Sequence, residues 1–176
     1  MTRTAVALKL GALVIVAAVV QATLLGSIDV GGGRPDLLLV TVVAIALVRG
    51  TTVGAVAGFA GGLLFDLATF GTLGVTSLLL TLTGYWIGRY GETTGRGRAH
   101  APLLSVLVMT VAYAVAAYIL HTILGDTVSA RIALLDSLLA ALVGNLLLAV
   151  PVYALVGRIL GSHERLERLP EVRLLG

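Results

Sequence analysis

Polar and charged positions cut the chain into six apolar runs. The first, residues 5–25, is broken only by Lys9 near its start and by Gln21 and Thr23 near its end. Wound as a helix it reaches about 31 Å, enough to cross the roughly 30 Å hydrocarbon core of a bilayer. The second span, 36–49, has an apolar centre of only 12 residues, 37–48, between Arg34-Pro35-Asp36 and Arg49-Gly50. That is about 18 Å of helix, so by length alone it reads as a re-entrant segment. Runs at 53–70, 73–90, 103–124 and 132–160 follow. The last is too long for one crossing unless it tilts or extends into water. Gly31-Gly32-Gly33 and Gly95-Arg96-Gly97 separate runs as turns. The pattern predicts an all-α integral membrane protein: a six-helix transmembrane domain over 1–161 and a short charged tail over 162–176.

Two features of this pattern have competing readings. Arg3 and Lys9 ahead of an apolar stretch, with Val20-Gln21-Ala22 as a cleavage motif, resemble a signal peptide. The run continues through Leu24 and Leu25 past that motif, which favours an uncleaved first span. Charge decides the second segment. If all six runs cross with the N-terminus inside, Arg3, Lys9, Arg49, Arg89, Arg96, Arg98, Arg158, Arg165, Arg168 and Arg173 are cytoplasmic, leaving Arg34 and Arg131 outside, ten of twelve against two. If the second run turns back, only Arg3, Lys9 and Arg131 stay inside, three against nine. The positive-inside bias therefore selects six spans with both termini cytoplasmic. A short span is then workable if Arg49 snorkels and the bilayer thins, or if neighbouring helices shield it.

Composition narrows the function classes. Hydrophobic residues make up 58% of the 176 and charged residues 12%, with no cysteine, whereas a soluble domain carries about 25% charged residues. This excludes a soluble globular enzyme, a disordered tail and a disulfide-stapled secreted module. The net charge of +3 comes from residues scattered in ones and twos, without the basic stripe that nucleic acid requires. In the tail, Leu166 and Leu169 among Glu164, Arg165, Glu167 and Arg168 read as a solvated helical end before a partner-binding helix.

Gly54, Gly58 and Gly62 fall at intervals of four, one stripe of a helix that another backbone can approach closely, and Gly61 widens that face. The spacing fits an internal contact or a contact with another protein. Asp66 continues the stripe one turn on, near the outer boundary, either bonding the turn at 69–74 or meeting a ligand or partner. Arg34-Pro35-Asp36 reads as a helix start, with Pro35 at a first helical position and Asp36 complementing the dipole. Arg49-Gly50-Thr51 reads as a tight inner turn whose arginine reaches the lipid headgroups. Gln21, His121, Asp136 and Asn145 are the other polar groups at or near membrane depth. Asn145 lies deep in the last span, placed to bond another helix, and Pro151 can kink that span.

Catalytic and metal chemistry find no footing in these residues. With no cysteine and three histidines there is no zinc ligand set, and His121 and Asp126 do not share a helix face. There is no Gly-x-Ser-x-Gly or His-Glu-x-x-His, and nothing pairs Ser77, Ser105 or Ser137 with His121. The sole lysine, Lys9, follows no phosphate-cradling loop. The expectation is a protein that is not an enzyme and needs no cofactor.

The order Arg34-Pro35-Asp36-Leu37-Leu38-Leu39, Arg49-Gly50, Gly54, Gly58, Gly62-Leu63-Leu64-Phe65-Asp66, Gly74 and Leu80-Thr81-Leu82-Thr83-Gly84-Tyr85 resembles the rod shape-determining membrane protein MreD family of bacteria. The resemblance covers roughly 5–160, and the arginine- and glycine-rich loop 91–100 falls outside its pattern. It implies a helix arrangement similar to the substrate-binding subunits of energy-coupling-factor vitamin transporters, and no enzyme activity. It implies a scaffold of the cell-elongation (Rod) machinery in the cytoplasmic membrane, partnered by MreC and through it by MreB, RodA and a penicillin-binding transpeptidase in peptidoglycan synthesis. None of this follows from composition. The rival reading is a solute-binding or transport subunit, which needs a cavity reached from outside and lined by groups such as Asp66, Asp136 or Asn145.

Overall fold

The computed structural model describes residues 3–24, 33–94, 100–125 and 137–160. These form six helices and no strand: α1 (Arg3–Thr23), α2 (Leu37–Arg49), α3 (Thr51–Thr69), α4 (Val75–Thr94), α5 (Ala101–Ile123) and α6 (Ser137–Leu160). Four of them, α1, α3, α5 and α6, are long and apolar enough to cross a membrane. Helix α2 has 13 residues, and α4 is diluted by threonines, glycines, Arg89 and Glu92. Helix α4 runs four residues beyond the predicted end at 90, so part of the loop expected at 91–100 is helical. The start of the sixth run at 132–136, with Asp136, lies outside the described residues, as do Asp126 and the tail 162–176.

The short helix is the axis of the molecule. All ten residues from Leu38 to Leu47 are buried, as expected of a helix that is apolar on every face. Helix α2 touches each of the other five. Val40, Val43 and Ala46 pack against Ile87 of α4, Val106 of α5 and Ala149 of α6. Ala44 and Ile45 meet Val14 of α1, Ala57 of α3 and Val156 of α6, and Leu38 and Leu39 meet Ala17, Ala18 and Leu80. Its length is therefore set against protein and not against lipid. The surrounding helices turn large apolar side chains outward, among them Leu8, Val16 and Val19 on α1, Phe59 on α3, Val108 and Ile119 on α5, and Leu139 and Leu147 on α6. A surface of this kind suits hydrocarbon, not water.

Helices α3 and α4 form an antiparallel pair at backbone contact. A β-carbon on Gly58 would run into the Leu80 carbonyl, one on Gly62 into the Ser77 backbone, and one on Gly54 into the Gly84 carbonyl. The approach is reciprocal, because Gly84 faces the Gly54 backbone and Gly88 faces Thr51. The stripe is thus matched by a second set of small residues on α4, close packing replacing the hydrophobic drive that lipid removes.

Candidate functional site

The residues singled out in the sequence fall in three places. Gly54, Gly58, Gly62 and Asp66 lie along the α3–α4 seam. Asp66 is 3% exposed, and its Oδ2 accepts the Gly74 amide at 2.8 Å and the Ser77 amide at 3.4 Å. It ties the end of α3 to the start of α4 across a turn where Phe70 holds a left-handed φ of 53°. Asp66→Asn retains one acceptor oxygen, whereas Asp66→Leu strips both amides. The leucine variant should unfold about 1–3 kcal/mol more easily, with the asparagine variant close to wild type, as read by thermal unfolding in detergent.

Arg49 and Gly50 stand at the opposite end of the bundle. Gly50 alone joins α2 to α3, with φ at 92°, a conformation open to glycine. The Arg49 guanidinium is half-buried. Its Nη1 donates to the Leu160 carbonyl at 3.3 Å, complementing the C-terminal end of α6. Beside it, Glu92 accepts both the Thr51 amide (2.8 Å) and the Thr51 hydroxyl (2.7 Å), satisfying the start of α3.

Pro35, Asp36 and Asn145 come together in the third place, where α2 begins inside the bundle. Pro35 is not a helical residue as the sequence pattern suggested. Helix α2 starts at Leu37, and Asp36 is its N-cap, accepting the Leu39 amide on Oδ1 at 2.8 Å. The segment is then clamped from both sides. Gln21 of α1 donates from Nε2 to the Pro35 carbonyl (3.1 Å) and accepts the Leu37 amide on Oε1 (2.7 Å). Asn145 of α6 accepts the Asp36 amide on Oδ1 (2.6 Å) and donates from Nδ2 to Thr110 Oγ1 of α5 (3.0 Å). Gln21 is 7% exposed and Asn145 1%, so these groups replace the water that a helix start would otherwise find. Pro35 also packs where Gly144 leaves space, since a β-carbon there would meet its ring.

Beside the clamp opens a cavity of about 430 Å³ between the facing halves of α5 and α6. Asp36, Thr110 and Asn145 lie at its inner end, Arg34 and His121 line it as well, and Tyr113 and Tyr118 form part of its wall. Tyr113 is paired with the Thr76 side chain. Asn145 was marked by its depth in the last span, and Gln21 as a polar group at or near membrane depth in the first. Thr110 and Tyr113 carried no signal, because threonine and tyrosine are ordinary residues in a span. Among the described residues no group of three histidine or acidic side chains could hold a metal ion.

Compared with the curated proteins and with the solved structures, the chain matches none. The family model described as rod shape-determining protein MreD matches residues 1–159. That match takes in every described helix save the last residue of α6, together with the three polar places described above, and the chain belongs to the MreD family.

Proposed function

We propose that this membrane protein of a shape-determining family is a non-enzymatic scaffold of the bacterial Rod machinery. In this reading it binds MreC and through it MreB, RodA and a penicillin-binding transpeptidase, and so helps control peptidoglycan synthesis. The observation that carries the reading is the family match over 1–159. The fold is in keeping with it: nearly all described mass is helix, and the outward faces are apolar. The test is co-purification of MreC with the full chain, beside cell shape in a strain depleted of it. Retained MreC and rounded cells on depletion are expected, and rod-shaped depleted cells would sink the reading.

The scaffold spans the inner membrane six times with both termini cytoplasmic. Lys9, Arg49, Arg89 and Arg158 lie toward one end of the bundle and Arg34 toward the other, in keeping with the positive-inside bias. Cysteines placed at Thr2, Thr94 and Ser162 should resist an impermeant thiol reagent in intact cells, and those at Gly32 and Thr127 should label. Labelling at Thr94 would defeat this topology.

A second reading, a solute-binding subunit with the helix arrangement of the vitamin-transporter subunits, is favoured by one observation, the cavity beside Asp36 and Asn145. Asp66, which that reading also invoked, faces the α3–α4 seam. Uptake of a small solute lost on depletion, with cell shape unchanged, would favour this alternative.

A further inference from the structure

The cavity has a definite plan. On α5 its lining runs from Thr110 to His121, twelve residues and about 16 Å of helix. On α6 it runs from Ser137 down to Asn145, about 12 Å. It is a slot that descends from the end of the bundle carrying the α5–α6 connection to the buried start of α2. Ala114 and Ala117 on α5 and Ala141 on α6 keep its middle open and apolar. A volume of about 430 Å³ lies within the range of small-molecule sites, roughly 300–1,000 Å³.

The chemistry at the bottom of the slot is specific. The Asp36 carboxylate accepts the Leu39 amide in the first turn of α2, and a carboxylate has about four acceptor positions. Among the described residues no basic side chain forms an ion pair with it. An ionisable group at membrane depth is stable when it meets a partner of opposite charge. Two tyrosines line the same slot, and aromatic rings attract organic cations. Arg34, exposed in the structure, also lines the slot, placed to receive an anionic part of the same ligand.

The geometry points to a binding site for an amphipathic molecule bearing a primary ammonium group, the ammonium seated at Asp36 and the apolar body along the alanine-lined slot. Two sources offer that chemistry, an aminophospholipid headgroup and a free amphiphilic amine. The site does not depend on the scaffold reading, and it stands or falls by binding alone.

The test uses the full chain purified in detergent, with dodecylamine as the cationic probe and dodecanol as its neutral twin. Thermal unfolding and native mass spectrometry read the binding. Dodecylamine should raise the unfolding temperature and dodecanol should not. Asp36→Asn keeps an oxygen for the Leu39 cap, so it should unfold like wild type without ligand yet bind the amine at least tenfold more weakly. Ala117→Phe fills the slot and leaves Asp36 in place, and should lose binding to a similar degree. Phosphatidylethanolamine retained by wild type and lost from Asp36→Asn, with phosphatidylglycerol retained by neither, identifies a lipid source. Dodecylamine binding without phosphatidylethanolamine retention identifies a free amine. Equal binding of amine and alcohol, or unaltered amine binding in Asp36→Asn, overturns the site. If the asparagine variant does not fold, unaltered amine binding in Ala117→Phe overturns it.

Discussion

Gly58→Leu will leave little folded protein in the membrane, while Gly11→Leu will accumulate and unfold like wild type. Both glycines sit within helices, α3 and α1, and both substitutions add the same side chain. At Gly58 the first added atom already meets the Leu80 carbonyl, whereas at Gly11 nothing lies within 4 Å. Overpacking a tight core costs about 1–3 kcal/mol when side chains can give way. Here the obstacle is helix backbone, so the loss should exceed about 3 kcal/mol, and even Gly58→Ala should be destabilised measurably. Quantitative immunoblotting of membrane fractions, followed by thermal unfolding in detergent, checks both. Similar yields for the two leucine variants would mean that α3 and α4 do not approach as described.

Gln21→Leu and Asn145→Leu will each destabilise the bundle, and the double variant will lose less than the sum. The first change leaves the Pro35 carbonyl and the Leu37 amide unmet, the second the Asp36 amide and the Thr110 hydroxyl. A buried polar group left without its partner costs about 1–3 kcal/mol. Residues 35–37 are one short segment held from two sides, so releasing one side loosens what the other holds. A coupling of about 0.5–3 kcal/mol is expected for groups that share a network. Chemical unfolding of the four proteins closes the cycle. Small, additive losses would show that water reaches the segment once a clamp is removed, and that the clamp is dispensable.

The sequence pattern was informative where periodicity and length have one physical meaning. The five longer runs each contain a helix, the glycine spacing of four marked the seam between α3 and α4, and the depth of Asn145 marked it as a residue that bonds another helix. The position of α2 was not legible for the opposite reason. A 12-residue run that is apolar but for Thr41 has no charged or strongly polar face to say which side meets solvent or lipid, so enclosure by five helices emerges only from the packing. The bond from Arg49 to Leu160 was not legible because an arginine at a span end reads as a lipid contact, and the carbonyl it meets is 111 residues away in the chain. The slot beside Asp36 has Ala114, Ala117 and Ala141 at its middle, and a void between small residues on two helices leaves no mark in either one.

Both ends of α2 are closed by α6, which is made after the other five described helices. The amide at its start is met by Asn145, 109 residues later, and the arginine at its end meets Leu160, 111 residues later. At about 5–20 residues per second of synthesis, a helix too short to hold a bilayer alone waits roughly 5–20 s for its partners. During that interval the biogenesis machinery must shelter it, beside the insertion site or among the helices already released. A ribosome that stalls before α6 would leave a chain whose centre is open at both ends, and membrane quality-control proteases would find their substrate there.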